Sequence, residues 1–438
     1  MRQINITILL LIFGLNSGFT QEKLTKDQAV KIVLENNYGI KIANNNLKIA
    51  KNNKSVLNSG YLPTLTGNAG ATYNTDDTEA VFLNGDLTNL KNAKSSRYNA
   101  SVSLNYTLFD GLGRLYNYKQ LKEQYNLSEL QARETIEKTL LQLFTVYYNV
   151  AELSENVALL KQSLKISKNR LKRAQYQFDF GQNTKLSVLN AEVDVNNDSI
   201  ALLNTKQILL NAKRDLYVVL GKKEVPNFSV DTNIIFNLTE NKQKLFEQVK
   251  TKNVNLLQNE KNIKVSDFQL KANRSGYLPT IGLTSTYGWS KNNNNSSSFL
   301  LESTNTGIST GFSLRWDLFN SGRTRTQIKN AKINYETQQF SKQQIELQIT
   351  RDFNNAWEDY KTKLFVLQTQ QKNVETNKRN FARTKDQFDL GQITSIEFRQ
   401  AQVNLLNAQS NLNKAKYDAK NAELNLLQLS GGLLNSKF

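Results

Sequence analysis

The chain repeats itself. Ser59-Gly60-Tyr61-Leu62-Pro63 returns as Ser275-Gly276-Tyr277-Leu278-Pro279, Leu108-Phe109-Asp110 as Leu318-Phe319-Asn320, and Phe178-Asp179-Phe180-Gly181-Gln182 as Phe388-Asp389-Leu390-Gly391-Gln392. Three marks recurring in the same order, each about 210 residues later, mean a duplicated unit of half-molecule size, far longer than a solenoid repeat. Whatever one half builds, the other builds again.

Each copy contains a long helical pattern. From Arg114 to Phe180 there is neither proline nor glycine, and apolar residues stand at Ile136, Leu143, Val150, Val157, Leu164, Leu171 and Phe178, one heptad apart. The second copy keeps this seam in register at Phe353, Tyr360, Leu367, Val374, Phe381 and Phe388. Helices over about 114–180 and 323–389 would each be on the order of 100 Å long. Return helices follow over about 184–220 and 394–430, the latter with Leu405, Ala408, Leu412, Ala415, Ala419, Ala422, Leu426 and Leu429 on one seam. Gly181 and Gly391 fall where each long helix must stop, a place suited to a residue without Cβ. Only three prolines punctuate the chain, so such helices run unbroken.

Before each long helix the period changes from helical to two. After Pro63, Leu65, Ala69, Ala71 and Tyr73 alternate with Thr66, Asn68, Thr72 and Asn74. Then Tyr98, Ala100, Val102, Leu104, Tyr106 and Leu108 alternate with Asn99, Ser101, Ser103, Asn105 and Thr107. The second copy has Ile281, Leu283, Tyr287 and Trp289, then Ile308, Phe312, Leu314, Trp316 and Leu318. The pattern predicts strands at about 64–75, 97–109, 280–290 and 306–319, joined by polar loops at 76–97 and 290–306. Strict alternation with aromatics near the ends fits a transmembrane β-barrel, and a soluble sandwich would alternate similarly. The strand length matches an apolar bilayer core. Four strands cannot close a barrel by themselves, because open edges in lipid leave backbone groups unpaired, so several chains must share one.

Composition narrows the chemistry. Met1 to about Thr20 reads as a secretory signal, with Arg2 before the apolar stretch Ile4 to Leu15 and small residues before Gln21. No later apolar run is long enough for a spanning helix. Cysteine and histidine are both absent, which removes disulfides, thiol nucleophiles, imidazole bases and ordinary zinc sites. Neither an enzyme nor a cofactor or metal is expected. The formal charge of +18 is spread along helix faces without the aromatic-interleaved groove of a nucleic-acid binder, and it suits anionic lipid headgroups. Gly111-Leu112-Gly113 lacks the third glycine and the parallel sheet of a nucleotide fingerprint.

Signal, Gly-Tyr-Leu-Pro, strand hairpin, Leu-Phe-Asp-Gly, long helix, Phe-x-x-Gly and return helix, all duplicated, resemble the TolC-type outer-membrane efflux family over essentially the whole mature chain. The marks with most specificity are Leu108-Phe109-Asp110-Gly111 to Gly113-Arg114, their echo at Leu318 to Arg323, and the glycine turns followed by Val188-Leu189-Asn190-Ala191 and Phe398-Arg399-Gln400-Ala401. The resemblance implies a mainly α chain with a β-barrel part. Three chains would form a homotrimer with a periplasmic α-barrel and a shared twelve-stranded transmembrane barrel in the bacterial outer membrane. It divides the chain into a signal at 1–20, a first repeat at 21–221, an equatorial connector at 222–252 with Pro226 and a short helix near Glu240 to Lys250, and a second repeat at 253–438.

The same resemblance implies functional positions. Gly181, Gln182, Gly391 and Gln392 would form the hairpin tips that dock a periplasmic adaptor and, through it, an inner-membrane pump. Gly60, Pro63, Gly113, Gly276, Pro279 and Gly322 would be turns at the barrel rim. Glu397 and Gln400 match the family's acidic constriction, with one acidic ring kept and one lost, while Phe388 and Ile393 are apolar where the family has polar links. Thr394-Ser395-Ile396-Glu397 also has the spacing of a capping box, so Glu397 has a second, purely structural reading. Opening is expected by outward movement of the Phe381 to Leu406 hairpin.

Two rival readings accompany the small-molecule exit duct. One is the same duct serving type I protein secretion. The other, of a different class, is an exported coiled-coil structural or adhesive protein, which would explain the heptads but not the strands.

Overall fold

A computed structural model describes residues 22–223, 228–238 and 240–436. The expected signal at 1–20 and Pro226 lie outside these residues. In chain order the elements are β1 (Glu22–Leu24), α1 (Lys26–Asn36), α2 (Tyr38–Asn53), β2 (Thr64–Val81), β3 (Leu87–Phe109), α3 (Gly113–Asp179), α4 (Lys185–Leu220), β4 (Phe228–Val230), α5 (Lys242–Lys252), α6 (Val254–Arg274), β5 (Thr280–Asn293), β6 (Glu302–Arg315), α7 (Arg323–Asp389) and α8 (Ser395–Leu429). Both long helices, α3 and α7, have 67 residues. The chain divides into two compact units.

The first unit comprises residues up to 45, 131–257 and 345 onward. Its main core gathers Leu143, Phe144, Tyr147, Tyr148 and Val150 of α3 with Leu216 and Leu220 of α4 and Tyr417 and Leu424 of α8. Each buried large side chain of this kind contributes about 1.5–3 kcal/mol. A second core packs Phe353, Ala356 and Tyr360 of α7 against Leu245 and Val249 of α5 and Leu426 of α8. Thus Leu143, Val150 and Val157, and Phe353, Tyr360, Leu367 and Val374, are buried members of the two heptad seams. The alanines of α8 at 408, 415, 419 and 422 are buried as well, letting neighbouring helices approach closely.

The connector holds a feature the hydrophobic pattern does not reveal. Residues 228–230 pair in parallel with β1, Glu22 facing Phe228 and Leu24 facing Val230. Tyr147 pins this pair: its hydroxyl donates to the Leu24 carbonyl at 2.7 Å and accepts from the Asp231 amide at 2.8 Å. The connector helix runs over Lys242–Lys252, two residues later than expected, because Asn241 supplies its N-cap by accepting from the Lys244 amide.

The second unit comprises 46–130 and 258–344. Its sheet is antiparallel in the order β2-β3-β5-β6, so the two copies of the strand hairpin meet at β3 and β5. The expected loop at 76–97 is corrected here. The ladder continues to Val81 facing Leu87, with a register shift between Asp76 and Thr78, and the turn is confined to the segment around Asn84-Gly85-Asp86. Polar residues do not interrupt backbone pairing, so Asn, Asp and Ser density overestimated the loop. At the bulge the Asn92 amide donates to the Asp77 side chain at 2.7 Å. Likewise β5 runs on to Asn293 and β6 begins at Glu302, whereas β6 ends at Arg315 rather than near 319. There the Trp316 indole N–H donates to the Tyr277 carbonyl, turning the chain out of the ladder.

Candidate functional site at the helical hairpin turns

Both helical hairpins turn by the same backbone device. Gln182 N–H reaches the Gln177 carbonyl at 2.7 Å and Gly181 N–H the Phe178 carbonyl at 2.9 Å. Gln392 and Gly391 repeat these bonds to Gln387 and Phe388. This is the Schellman arrangement, which needs a left-handed residue at the turn. Gly181 and Gly391 supply it at φ 72° and 76°. A threonine then starts each return helix: Thr184 accepts from the Ser187 amide and Thr394 from the Glu397 amide.

Glu397 closes a full capping box. Its carboxylate accepts from both the amide and the hydroxyl of Thr394 at 2.8 Å, and these bonds hold its carboxyl below the usual glutamate range. The side chain is solvent-exposed and ionised. Gln400, one turn on, is exposed and donates to Asn404 at 2.8 Å. Phe388 stacks on Phe398 with centroids 4.6 Å apart, and the Arg173 guanidinium lies 4.7 Å from the Phe388 centroid. Ile393 is half-buried and lines a cleft of about 280 Å³ shared with Arg170, Arg173, Gln177 and Thr394.

Behind these turns lies a polar cluster outside the residues expected to form the site. Asp198 of α4, 5% exposed, receives two bonds from Arg399 of α8, at 2.9 and 2.7 Å, and one from Ser167 of α3 at 2.6 Å. Gln402 donates to Ser163 and Ser167 at 2.9 and 3.1 Å. Arg170 pairs with Asp194 and also donates to the Ser395 carbonyl. Arg399 reaches Asp194 at 3.4 Å. A second link joins Arg173 to Asp389 at 3.0 Å. Two arginines and two aspartates thus cancel in charge while tying the start of α8 to both helices of the first hairpin.

Burial alone would raise the Asp198 carboxyl, but its bonds from Arg399, Ser167 and Ser163 outweigh that and hold it low. Burial lowers the Arg170 guanidinium, with Asp194 opposing the change. A signal for this cluster existed: Ser163, Ser167 and Arg170 occupy spacings of four and three on α3, where a seam would ordinarily be apolar. Their partners are 24 to 239 residues away, which a linear pattern does not pair.

The residues expected at a barrel rim stand at the strand-to-helix junctions of the second unit. Pro63 and Pro279 directly precede β2 and β5. Gly60 has φ 75° and its carbonyl accepts from Arg114 at 3.2 Å. A Cβ on Gly113 would lie 2.7 Å from Ser275 Oγ, so a larger residue there would push the Ser275 side chain aside. Gly276 packs near Thr324, and Gly322 has φ 79° in open space. Asp110 and Asn320 in the two Leu-Phe-Asp/Asn marks cap the long helices by accepting from the Arg114 and Thr324 amides.

The molecule is therefore a mainly helical protein of two long hairpins and one four-stranded sheet with an apolar and a polar face. It belongs to the outer membrane efflux protein family, whose model, described as "Outer membrane efflux protein", matches residues 29–222 and 245–432. The outer membrane efflux protein BepC of Brucella suis is 22% identical over 409 residues, covering 90% of this chain and 80% of BepC. The outer membrane protein TolC of Vibrio cholerae is 20% identical over 313 residues, 70% of each chain. The Campylobacter jejuni CmeC outer membrane channel superposes with a TM-score of 0.77 at 18% identity, covering 93% of this chain and 86% of CmeC. The chain is thus a TolC-like efflux channel protein of the bacterial outer membrane.

Proposed function

We propose that three copies of this chain make one duct, their sheets closing a twelve-stranded barrel and their helical hairpins continuing it through the periplasm. The duct is the passive exit of a tripartite efflux system. Small molecules enter from a periplasmic adaptor and inner-membrane pump that dock at the turns around Gly181, Gln182, Gly391 and Gln392. The observation that carries this reading is the sheet itself: β2 and β6 are its two open edges, and it is amphipathic across its faces. An open edge in lipid would leave backbone groups unpaired at several kcal/mol each, and pairing β2 of one chain with β6 of the next removes that cost.

The chain performs no chemistry in this scheme. It has neither cysteine nor histidine. Its work is steric and electrostatic. Three Glu397 carboxylates brought near one axis would favour cations while also capping α8. The Arg170–Asp194–Arg399–Asp198 cluster holds the Phe381 to Leu406 segment against the first hairpin, and opening requires it to part. Arg170 Nε and Gln402 Oε1 are buried without a protein partner. Incomplete satisfaction of this kind weakens a buried polar link, as suits a joint that must open.

The test is to purify the protein from outer membranes, determine subunit number by mass, and record currents in a planar bilayer. A trimer with stepwise conductance is expected. A detergent-free soluble monomer that passes no current would instead mark an exported coiled-coil protein.

A further inference from the structure

We propose that Arg97 forms a cationic collar near the outer mouth of the barrel, favouring the exit of solutes that carry an anionic group. This rests on the trimeric duct proposed above and assigns its exit a charge preference. The sheet register defines which residues share a face. On the apolar face stand Leu65, Leu104, Tyr287, Trp289 and Phe312, suited to lipid. On the opposite, lumen-facing side, one cross-strand row is Thr66–Ser103–Thr286–Ser309, and the row three pairs nearer the turns is Thr72–Arg97–Asn292–Ser303. The rows from the first to the last of these contain only Thr, Ser, Asn and Gly apart from Arg97.

No neighbouring charge cancels it. Arg97 is exposed, and its Nε donates to Asn292 Oδ1 at 2.8 Å, an uncharged partner that aims the guanidinium without neutralising it. The only other arginine on this face of the ladder, Arg315, is at the helix end and is paired with Asp317 at 3.2 Å. The nearest carboxylate toward the turns on this face is Asp76, opposite Ala93 and four residues along β2 from Thr72. That is about 13 Å of strand, beyond the Debye length of about 8 Å at physiological salt. Lys291 and Glu302, paired at 2.9 Å, belong to the other face. Repeated by a three-fold axis, Arg97 puts three uncompensated positive charges around a wall otherwise lined by hydroxyls and amides. Such a ring raises the local concentration of anions and repels cations.

The experiment uses the whole protein in planar bilayers, comparing the native chain with Arg97→Lys, Arg97→Gln and Arg97→Glu. A trisulfonated dye is added from the barrel side, and its block of the current is titrated at low and high KCl. Arg97→Lys keeps the charge but loses the planar Nε bond, so it should block like the native protein. Arg97→Gln should weaken block about tenfold, Arg97→Glu further, and the differences should shrink as salt rises. Equal block in all four conducting trimers would overturn the collar, as would Arg97→Lys behaving like Arg97→Gln, which would leave Arg97 a mere clamp between strands. Native protein that forms no trimer and carries no current would overturn the duct itself, and the collar with it.

Discussion

Asp198 shows what one buried carboxylate does for the hairpin joint. Its folded pKa is depressed, below an unfolded value of about 3.9. Its stabilisation is therefore fully present above about pH 5 and is lost as pH falls through the folded value. Replacing Asp198 by alanine strands part of the Arg399 fork and should cost about 2–3 kcal/mol. The variant should unfold at lower urea than the native protein at pH 7 and show larger or more frequent open currents, with the gap between them narrowing near pH 3. Glu397 calls for a different substitution. Glutamine preserves a capping-box acceptor but removes the charge, so Glu397→Gln should lower thermal stability only slightly, through loss of the ionised cap at the start of α8, while lowering cation preference in bilayer recordings. If the currents match the native ones, Glu397 is a cap and nothing more. The capping box was legible in the sequence because Thr394 and Glu397 are three residues apart. The Asp198 cluster was not, since Arg399 approaches from 201 residues away.

At the scale of elements, the long helices follow from period and punctuation. A seam repeated every seven residues without proline or glycine allows only a helix, and a glycine with positive φ ends it. The strands were legible as alternation, but their ends were not, because a hairpin ladder continues through polar residues that resemble a loop. The three-residue strand Phe228–Val230 carries no readable period at all. What fastens that connector is side-chain chemistry on α8. Lys420 and Glu423, 1% and 0% exposed, pair at 2.6 Å. Lys420 also donates to the Ile235 carbonyl, and Glu423 accepts from the Asn237 and Leu238 amides. Lys420→Met would leave Glu423 buried without its cation, at a cost of about 3 kcal/mol or more. We expect faster proteolysis within 231–240 in that variant, read by mass spectrometry of the fragments, while the strand hairpins stay protected.

For the whole molecule, the decisive quantity is the number of open sheet edges. In the proposed duct, a four-stranded sheet with edges β2 and β6 would satisfy its backbone through identical neighbours, and a closed ring would follow where the rotation between them closes. The chain has no cysteine, so introduced ones report contacts without background. A panel of cysteine pairs, one on β2 and one on β6, should give an oxidised ladder on denaturing gels that stops at three chains. A ladder that continues past three, or cross-links only within single chains, would contradict the shared barrel. Duplication, export, the hairpin helices, the two-faced strands and the family were all determined by the sequence, because each is written in residues that are near neighbours or recur at a fixed period. The tertiary structure alone decided that Arg399 meets Asp198, that Lys420 holds the connector, and that Arg97 stands uncompensated on the polar face. Those facts depend on which distant segments pack together and in which register, and no local pattern encodes that choice.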